Sequence, residues 1–505
     1  MELLARCRFR TVQCHSRPIR SASTLRSVEV HVSLVGRKDL TGEIYRQLRQ
    51  AILDGRLPPG EQLPPTRELA QRLAVSRTTV TVAYDRLMAE GFVSSRVGAG
   101  TFVSDHGVRR PPAGRPAASP LRPRAVWDDT PLDTVRGLYA RSFEFDFRSG
   151  VPDHRLFPYR VWRRLVSDEL QPLGATDRLG LYGDPAGHAG LRAAIARHIG
   201  VSRAVRADAE DVTVTNGTQQ ALDLVARAFL EPGEGVAVEE PGFPPHRRLL
   251  TSLGAKVAPV PVDDEGLVVD ALPEGTRLVL VTPSHQFPLG VAMSLPRRVA
   301  LLSWAERHDA AIVEDDYDSE FRFGGRPIEP LQTLDTSGRV IYVGSFSKTM
   351  LPSLRLGFVV TPPSLTRAAR SAKYVTDWYT ALAAQAALAR FIDEGHLARH
   401  VRKLRAVYAA RHERIVEALR GELNEHLRLL PSDAGLHVSA PARRASADEL
   451  RAVAKRAAGV GVGVDELASY AVDRPQWPGL VLGYGAIAVE RIDEGLRRLR
   501  ACFDG

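Results

Sequence analysis

Strand-like and helix-like segments alternate along the greater part of this chain, and this alternation limits the possible fold more than any other feature. Short runs rich in valine, isoleucine and leucine end at small or polar residues, and helix-length stretches separate them. Such a pattern is typical of a parallel sheet covered by helices. We therefore predict an α/β fold for residues 142–505. The runs that indicate strands read DVTVT, VAVEE, RLVLV, AAIVED and RVIYV.

One of these runs leads directly to a lysine. The apolar residues 340–343 are followed by a short polar loop that contains Lys348. The carboxyl end of a strand is where α/β proteins place their chemistry. Ser345 and Ser347 supply hydroxyl groups there, and Arg355 supplies a guanidinium suited to a phosphate or a carboxylate. A lysine alone is as readily a solvated surface group, so its function depends on the residues around it.

Three other predicted strands end at residues that suit the same site. Gly217 precedes a predicted helix, whose free amides favour an anion. Asp315 and Tyr317 follow a second strand, and Phe243 follows a third. A pyridoxal phosphate site requires a lysine, a carboxylate for the pyridinium nitrogen, a phosphate cradle, an aromatic face and a phenol. These residues together predict such a site.

Each of these residues also has an ordinary interpretation. Asp315 and Asp316 could bind a metal ion, but their loop contains no histidine to complete a site. Phe243 alone is as readily a core residue. We predict no metal ion, because only the pyridoxal phosphate interpretation accounts for all the residues at once.

The chain's basic charge lies at one end. Residues 1–124 hold 21 Lys and Arg against 10 Asp and Glu, whereas the whole chain of 505 residues has a net charge of +9. The remainder is therefore slightly acidic. Such an asymmetry indicates a nucleic-acid-binding module joined to a nearly neutral body. A solvated basic face is the alternative, and only a motif can exclude it.

Cysteine use and hydropathy indicate where the protein acts. Cys7, Cys14 and Cys502 are too few and too close to the ends for a disulfide framework or a cysteine metal site. No run reaches the roughly 18 apolar residues that a membrane helix needs. We therefore expect a cytoplasmic protein without a membrane segment.

The basic end contains a helix-turn-helix pattern with a wing. We predict a first helix with Thr41 as N-cap, a second over 67–73 capped by Thr66, and a third over 77–90 capped by Ser76. Strands over 91–93 and 100–103, joined by the loop 94–99, would form the wing. A small helical bundle that binds nothing is the alternative.

The start of the third helix carries side chains that suit DNA. Arg77, Thr78 and Thr79 are residue types that reach base edges and phosphates, and a helix N-terminus favours phosphate. Arg67 and Arg96 would add contacts to the backbone of the duplex. The predicted DNA-binding residues are Arg67, Ser76, Arg77, Thr78, Thr79 and Arg96.

Composition divides the chain into four parts. Residues 1–37 are rich in arginine and serine and predict a basic, disordered extension, with an organellar targeting segment as the alternative. Residues 38–104 hold the predicted winged helix. Residues 105–141 are rich in proline, glycine and arginine and predict a linker. The α/β domain then occupies residues 142–505.

Two parts of the chain resemble known families. The string AILDGRLPPGEQLPPTRELAQRLAVSRTTVTVAYDRLMAEGFVSSRVGAGTFV resembles the GntR-type winged helix. Residues 143–503 are similar to fold-type I aminotransferases, and MocR-type transcription regulators join these two parts in this order. The strings that carry the second resemblance are YGDPAGHAGLR, NGTQQALDL, EEPGFPPHR, TPSHQFPLG, EDDYDSEFRF and GSFSKTMLPSLRLGF.

The resemblance implies a role for each matching residue. Lys348 would be the Schiff-base lysine, Asp315 the partner of the pyridinium nitrogen, and Tyr317 the hydroxyl near the ring oxygen. Phe243 would stack on the ring, and Tyr182 matches an aromatic residue that reaches the neighbouring site in a homodimer. The implied phosphate-binding residues are Gly217, Thr218, Gln219, Ser345, Ser347 and Arg355.

The sequence also departs from the families it resembles. Phe287 stands where aminotransferases carry an asparagine that bonds the ring oxygen, and Pro65 stands where GntR proteins commonly carry serine. Members that sense γ-aminobutyrate carry a tyrosine and an arginine where this chain has Phe243 and Pro245, which disfavours that effector. Val481 stands where many aminotransferases place a carboxylate-binding arginine, so Arg474 or another group would have to serve.

These observations predict a DNA-binding transcription regulator that senses an amine or amino acid through pyridoxal 5'-phosphate. The expected partners are a double-stranded operator, the effector and a second copy of the chain. A catalytically active aminotransferase carrying a DNA-binding module is one alternative. A plain winged-helix repressor, whose large domain only dimerises, is the other.

Overall fold

A computed structural model describes residues 32, 39–105, 122–127, 132, 142–170, 182–324, 328–472 and 477–504. The chain divides into two compact units, Met1–Arg122 and Pro123–Gly505. Within the described residues, no helix is both long and apolar enough to cross a membrane. The predicted basic extension lies outside the described residues apart from Val32, and so does most of the predicted linker.

The first unit is a three-helix structure followed by a two-stranded wing. Its helices are Leu40–Leu53, Thr66–Leu73 and Arg77–Ala89, and its antiparallel strands are Val93–Arg96 and Gly100–Val103. Ser76 caps the third helix as predicted, because its Oγ accepts from the Thr79 amide at 3.1 Å. Apolar residues from all three helices form one buried core, which includes Ile44, Leu48, Leu69, Val80 and Leu87.

Two predicted caps and the wing loop are wrong in detail. Asp39, not Thr41, caps the first helix, since its Oδ1 accepts from the Gly42 amide at 2.9 Å. Thr66 is the first residue of the second helix, which follows Pro65 without a side-chain cap. The first wing strand extends to Arg96, so the loop is shorter than residues 94–99.

The second unit is built around an eight-stranded sheet, and the predicted α/β fold is confirmed. Its strands run in the order Val212–Thr215, Gly357–Val360, Val340–Ser345, Ala311–Asp316, Thr276–Val281, Gly235–Glu240, Lys256–Asp263 and Gly266–Leu267. Neighbouring strands from Val340–Ser345 to Lys256–Asp263 are parallel. The strand Gly357–Val360 is antiparallel to both of its neighbours. Helices accompany this sheet and include Tyr159–Leu170, Ala189–Arg203, Thr218–Phe229, Pro244–Ser252, Leu295–Arg307, Leu331–Leu334, Pro363–Thr376, Leu382–Asp393 and His396–Arg420.

A smaller lobe completes the second unit. Its antiparallel sheet has the order His437–Pro441, Gly479–Gly483 and Asp465–Glu466. The strand Phe145–Asp146 pairs in parallel with Val462–Gly463, which ties the start of this unit to its C-terminal lobe. The helices Ala447–Gly459 and Val489–Ala501 belong to this lobe.

The second unit as a whole also contains short 3-10 helices. Among the described residues these are Ala125–Trp127, His154–Leu156, Val269–Ala271, Pro352–Leu354 and Leu467–Tyr470.

Strand order brings the predicted site residues together. Val343 pairs with Asp315 across neighbouring parallel strands, so the loop that carries Lys348 begins beside that carboxylate. Gly357 pairs with Thr215 on the other side, which places Gly217 close to the same edge. The carboxyl ends of parallel strands meet at one edge of a sheet, and the candidate site lies there.

Candidate functional site

Lys348 is a half-buried amine with one hydrogen bond within the described residues. Its Nζ donates to the Gly150 carbonyl oxygen at 2.7 Å. Burial lowers the pKa of Lys348, while the carboxylates of Asp318 and Asp315 act in the opposite direction. An amine with a depressed pKa is more often neutral and is therefore a better nucleophile.

Asp315 is a buried carboxylate that lacks a hydrogen-bond partner at one oxygen. Its Oδ1 has none among the described residues, and its Oδ2 lies 4.0 Å from His246 Nε2. Burial, together with the neighbouring Asp316, raises the pKa of Asp315 to about 8, although Lys348 opposes this rise. A buried carboxylate without a partner is costly, and a protonated ring nitrogen would relieve that cost.

The raised pKa of Asp315 predicts that the cofactor-free protein loses stability as pH rises. The folded state holds this proton from about pH 4 to about pH 8 whereas the unfolded state releases it, so the free energy of unfolding falls through that range. Asp315→Asn removes this contribution and should be more stable than the wild type by a few kcal/mol at pH 8, as an order of magnitude, but only by about 1 to 2 kcal/mol at pH 5.

Urea unfolding of the cofactor-free protein at pH 5 and pH 8 measures this difference. Tryptophan fluorescence follows the second unit alone, since its five tryptophans are Trp127, Trp162, Trp304, Trp378 and Trp477. Asp448→Asn, at an exposed carboxylate, is the control and should keep the wild-type pH dependence. An Asp315→Asn variant that follows the wild-type curve at both pH values would contradict the expected burial cost.

The helix that starts at Thr218 begins beside a guanidinium. Gly217 has a φ of +81°, and a Cβ atom there would lie 2.9 Å from an Arg355 terminal nitrogen. Arg355 itself has a φ of +54° and donates to the Asn216 carbonyl at 2.8 Å. The helix Thr218–Phe229 has no side-chain cap, so its first amides remain available to an anion.

Other residues predicted for the phosphate cradle have partners within the protein. Ser345 Oγ accepts from the Ser347 amide at 3.0 Å. Gln219 donates its side-chain amide to the Pro245 carbonyl at 3.0 Å. Gly217, Thr218 and Arg355 therefore form the part of the predicted cradle best suited to a phosphate, whereas the side chain of Gln219 is already engaged.

Phe287 occupies the centre of an aromatic cluster in this region. Its ring meets Phe243 edge-to-face at 5.6 Å between centroids and meets Tyr317, His437 and Tyr470 at 6.0, 5.4 and 5.0 Å. Phe243 is 43% exposed, so one part of it is open to a ligand. Phe287 offers no hydrogen bond, and Gln286 beside it donates to the carbonyls of Pro241 and Phe287 itself.

The Tyr317 hydroxyl is held by His285, a residue that sequence reasoning missed. It donates to the His285 carbonyl at 3.0 Å and lies 3.0 Å from His285 Nδ1. His285 Nδ1 also lies 3.1 Å from an Asp318 carboxylate oxygen, and Nε2 lies 3.1 Å from Ser432 Oγ. Ser432 belongs to the segment that leads into the C-terminal lobe, so this network links Tyr317 to that lobe.

His285, Asp318 and His437 together have the residue types of a metal site. Their candidate ligand atoms lie within 4.8 Å of one another, and all three side chains are buried. Each is already engaged, however: His285 bonds Asp318 and Ser432, and His437 Nε2 donates to the Pro288 carbonyl at 2.9 Å. The cluster therefore serves as a hydrogen-bonded support for Tyr317, and we assign it no metal.

Of the two residues predicted to bind the effector, Tyr182 lies within the described residues. Tyr182 is 76% exposed and stacks on Trp378 at 4.5 Å between ring centroids. Arg474 lies outside the described residues. Val481, where a carboxylate-binding arginine was expected in the family, is fully buried in the lobe's sheet.

The predicted DNA-binding residues lie around the start of the third helix and on the wing. Arg67, Arg77, Thr78 and Arg96 are exposed, and Arg96 lies over the Phe102 ring at 4.7 Å. Thr79 differs from them, because its hydroxyl lies 2.7 Å from the Ser76 Oγ that caps the helix. Ser76 and Thr79 thus support the helix N-terminus, while the side chains of the other four are exposed, with Arg77 Nε 3.5 Å from Thr66 Oγ1.

The chain matches two family models. The model for aminotransferase class I and II matches residues 145–473. The model for bacterial regulatory proteins of the gntR family matches residues 40–103.

Whole-length relatives are named as regulators. The chain is 41% identical over 468 residues to the "Probable rhizopine catabolism regulatory protein MocR" of Rhizobium meliloti, covering 91% of this chain and 93% of that protein. It is 32% identical over 445 residues to the "HTH-type pyridoxine biosynthesis transcriptional regulator PdxR" of Corynebacterium glutamicum, covering 88% and 91%.

A solved enzyme has the fold of the second unit. The kynurenine aminotransferase of Pyrococcus horikoshii, in a structure described as a complex with PMP, superposes with a TM-score of 0.67 at 27% identity. The match covers 76% of this chain and 95% of that enzyme. That enzyme has no counterpart for the remaining quarter of this chain.

Proposed function

The chain belongs to the MocR-type regulators of the gntR family, which join a winged helix to an aminotransferase class I and II domain, and from this premise we propose that Lys348 binds pyridoxal 5'-phosphate. The protein is a DNA-binding transcription regulator. With the cofactor bound, an amine effector would compete with Lys348, and this competition would alter how the winged helices engage an operator. The protein acts in the cytoplasm, where its operator lies.

One observation carries this proposal. The Lys348 amine, whose pKa burial lowers, follows one strand, and the buried Asp315 carboxylate, with one oxygen unpartnered among the described residues, lies on the neighbouring strand. The uncapped helix N-terminus at Thr218 and Arg355 lie at the same edge and suit an anion. The groups match an aldehyde-reactive nitrogen, a ring-nitrogen partner and a phosphate cradle. A pyridoxal phosphate site uses these three features together.

Each residue has a separate task in this scheme. Bound pyridoxal phosphate supplies an aldehyde carbon that primary amines attack reversibly. Lys348 would contribute the resident amine, the Asp315 carboxylate would pair with the ring nitrogen, and Gly217 and Arg355 would hold the phosphate. The His285 network orients the Tyr317 hydroxyl and connects it to Ser432 near the C-terminal lobe. A coupling of about 1 to 3 kcal/mol between effector and DNA suffices for regulation.

Borohydride fixation tests the proposal directly. The purified chain is incubated with pyridoxal phosphate, reduced and mapped by mass spectrometry, and we expect the added mass on the peptide containing Lys348. Operator affinity is then measured with and without cofactor and with a mixture of amines. A chain that fixes no cofactor, and whose operator affinity ignores both additions, would overturn the proposal.

Arg77→Ala is expected to weaken operator binding about tenfold, because Arg77 is exposed at the start of the helix that reads the major groove. The slope of log affinity against log salt should become shallower by about one if a phosphate contact is lost. Fluorescence anisotropy with a duplex selected from a random pool by the wild-type protein measures both quantities.

Arg86→Ala is the matched control for this measurement. Arg86 lies on the same helix about 13 Å further along its axis, and it is engaged with Glu90 and the Tyr45 ring. We expect its operator affinity to stay within about twofold of the wild type. Equal losses for both variants would indicate a general effect on the first unit and would count against the role of Arg77.

We also propose that the second unit forms a homodimer through an exposed aromatic surface. The surface consists of four exposed residues, Tyr182, Tyr374, Val375 and Trp378. The Tyr182 ring stacks on the Trp378 ring, and the Tyr374 ring meets Trp378 edge-to-face. Asp377 connects this surface to the phosphate cradle, because its Oδ2 accepts from the Asn216 side chain at 2.8 Å. Light scattering should give twice the chain mass of 55.3 kDa, and a monomer at micromolar concentration would contradict the dimer.

A further inference from the structure

Three polar residues form a cluster that the proposed cofactor site does not use. Asp465 Oδ2 accepts from the Ser149 amide and the Ser149 hydroxyl, both at 2.8 Å, and from the Tyr470 hydroxyl at 3.2 Å. The hydrogen bonds recorded for this carboxylate in the described residues all end on Oδ2. The other oxygen, Oδ1, therefore keeps its acceptor capacity for a ligand.

The cluster lies beside the reactive amine. Ser149 immediately precedes Gly150, whose carbonyl accepts from Lys348 Nζ at 2.7 Å. Tyr470 meets the Phe287 ring edge-to-face at 5.0 Å, and Phe287 meets the Tyr317 ring. One peptide unit and two hydrogen bonds thus connect Lys348 to Asp465. These contacts place Asp465 in the same hydrogen-bonded network as the lysine nitrogen, within the reach that recognition of an effector's far end requires.

The charges around the cluster disfavour an anionic far end. Among the described residues, the cation that lowers the pKa of Lys348 is Arg355, which donates to the Asn216 carbonyl. Arg148, which acts on Asp465, is committed to Asp146 through two bonds of 2.8 and 2.6 Å. Burial raises the pKa of Asp465, so the carboxylate would gain from a donor or a cation placed at Oδ1.

We infer that Asp465, with Ser149 and Tyr470, recognises the far end of the effector, and that the effector is a primary amine bearing a second hydrogen-bond donor, as a diamine or an amino alcohol does. This inference rests on the proposed function, because the reacting amine must first exchange with Lys348. It goes beyond that function by excluding an amino acid with a free carboxylate at the far end. Of these two effectors, the diamine should form the stronger bond to Asp465, because the hydrogen bond between its ammonium group and a carboxylate is charge-assisted.

A series of four-carbon amines that differ only at the far end tests the inference. The cofactor-loaded full chain is titrated with butylamine, 4-aminobutanol, 1,4-diaminobutane and 4-aminobutyrate, and the absorption of the bound cofactor gives an apparent Kd for each. We expect the diamine and the amino alcohol to bind at least tenfold more tightly than butylamine, and 4-aminobutyrate to bind most weakly. Calorimetry repeats the ranking without reliance on the absorption band.

Variants then assign the ranking to Asp465. Asp465→Asn should lose about tenfold in affinity for the diamine and less for the amino alcohol, and it should gain affinity for 4-aminobutyrate. Glu466→Gln is the matched control, because successive strand residues face opposite sides and Glu466 lies 3.8 Å from Arg451. It should retain the wild-type ranking.

The outcomes separate this inference from the proposed function. Tighter binding of 4-aminobutyrate than of the diamine by the wild type, or an unchanged ranking in Asp465→Asn, overturns the inference while the function stands. A chain that holds no cofactor overturns both. The wild-type ranking needs no variant, so the inference can be contradicted even if Asp465→Asn does not fold.

Discussion

Lys348→Ala is expected to fix no cofactor under borohydride and to lose the whole of its response to amines, since no other described residue offers an amine beside Asp315. The alanine side chain is a methyl group, so this variant lacks both the nucleophilic amine and its hydrogen bond to the Gly150 carbonyl. The altered residue belongs to the second unit, so the first unit keeps its sequence. We therefore expect operator binding by Lys348→Ala to persist at the level of the cofactor-free wild type, but to be insensitive to cofactor and amine. Mass spectrometry of the reduced protein and anisotropy of the operator measure the two effects.

Two further variants distinguish the amine from its charge. Lys348→Arg keeps a positive charge near Asp315 and Asp318 but forms no stable adduct, and we expect it to fail as Lys348→Ala does. Lys455→Ala removes an exposed lysine and should fix cofactor normally. An adduct that persists in Lys348→Ala would place the reactive amine elsewhere and would remove the basis of the sensing mechanism.

Gly435→Ala is expected to destabilise the second unit by about 3 kcal/mol, because it combines a steric clash with backbone strain. Gly435 has a φ of +82°, and a Cβ atom there would overlap the His285 ring and lie 2.6 Å from an Asp318 oxygen. Both neighbours are buried and bonded to each other, so neither moves without breaking the network that holds Tyr317. Urea unfolding followed by tryptophan fluorescence measures the loss.

Gly338→Ala separates the two causes. Gly338 has a similar φ of +70°, but nothing lies within 4 Å of the position its Cβ would take. This variant should lose only about 1 kcal/mol, the cost of the left-handed backbone. Equal losses for Gly435→Ala and Gly338→Ala would mean that the contact with His285 contributes nothing to the effect. A weaker affinity for pyridoxal phosphate in Gly435→Ala alone would further connect His285 to the cofactor site.

The fold and the closeness of Lys348 to Asp315 were predictable because their signals are local. Each strand of the large sheet is a short apolar run, and the parallel order then places Lys348 and Asp315 at one edge. Ser76 was equally predictable, since an N-cap is defined by residues three positions apart. The two wrong caps have a common cause: Asp39 and Pro65 stand just before the threonines that were chosen, and local sequence does not fix a helix start to within one residue.

The support for Tyr317 was not predictable from local patterns. His285, Asp318 and the segment that holds Ser432 and Gly435 are far apart in the sequence, and only the packing of the small lobe against the sheet brings these three segments together. The same is true of the contact between Ser149 and Asp465, which lie 316 positions apart. A single sequence carries no signal for such pairs, whereas it does carry one for a lysine that follows a strand.

The antiparallel strand Gly357–Val360 has a consequence for engineering. It is hydrogen-bonded on one side to the strand that leads to Lys348 and on the other to the strand that leads to Gly217. The distance between the loop of Lys348 and Gly217 is therefore set largely by backbone hydrogen bonds between these strands, which surface mutations do not alter. On the proposed function, a biosensor built on this chain would be re-tuned to new analytes by exchanging Ser149, Asp465 and Tyr470, with Lys348 left unchanged.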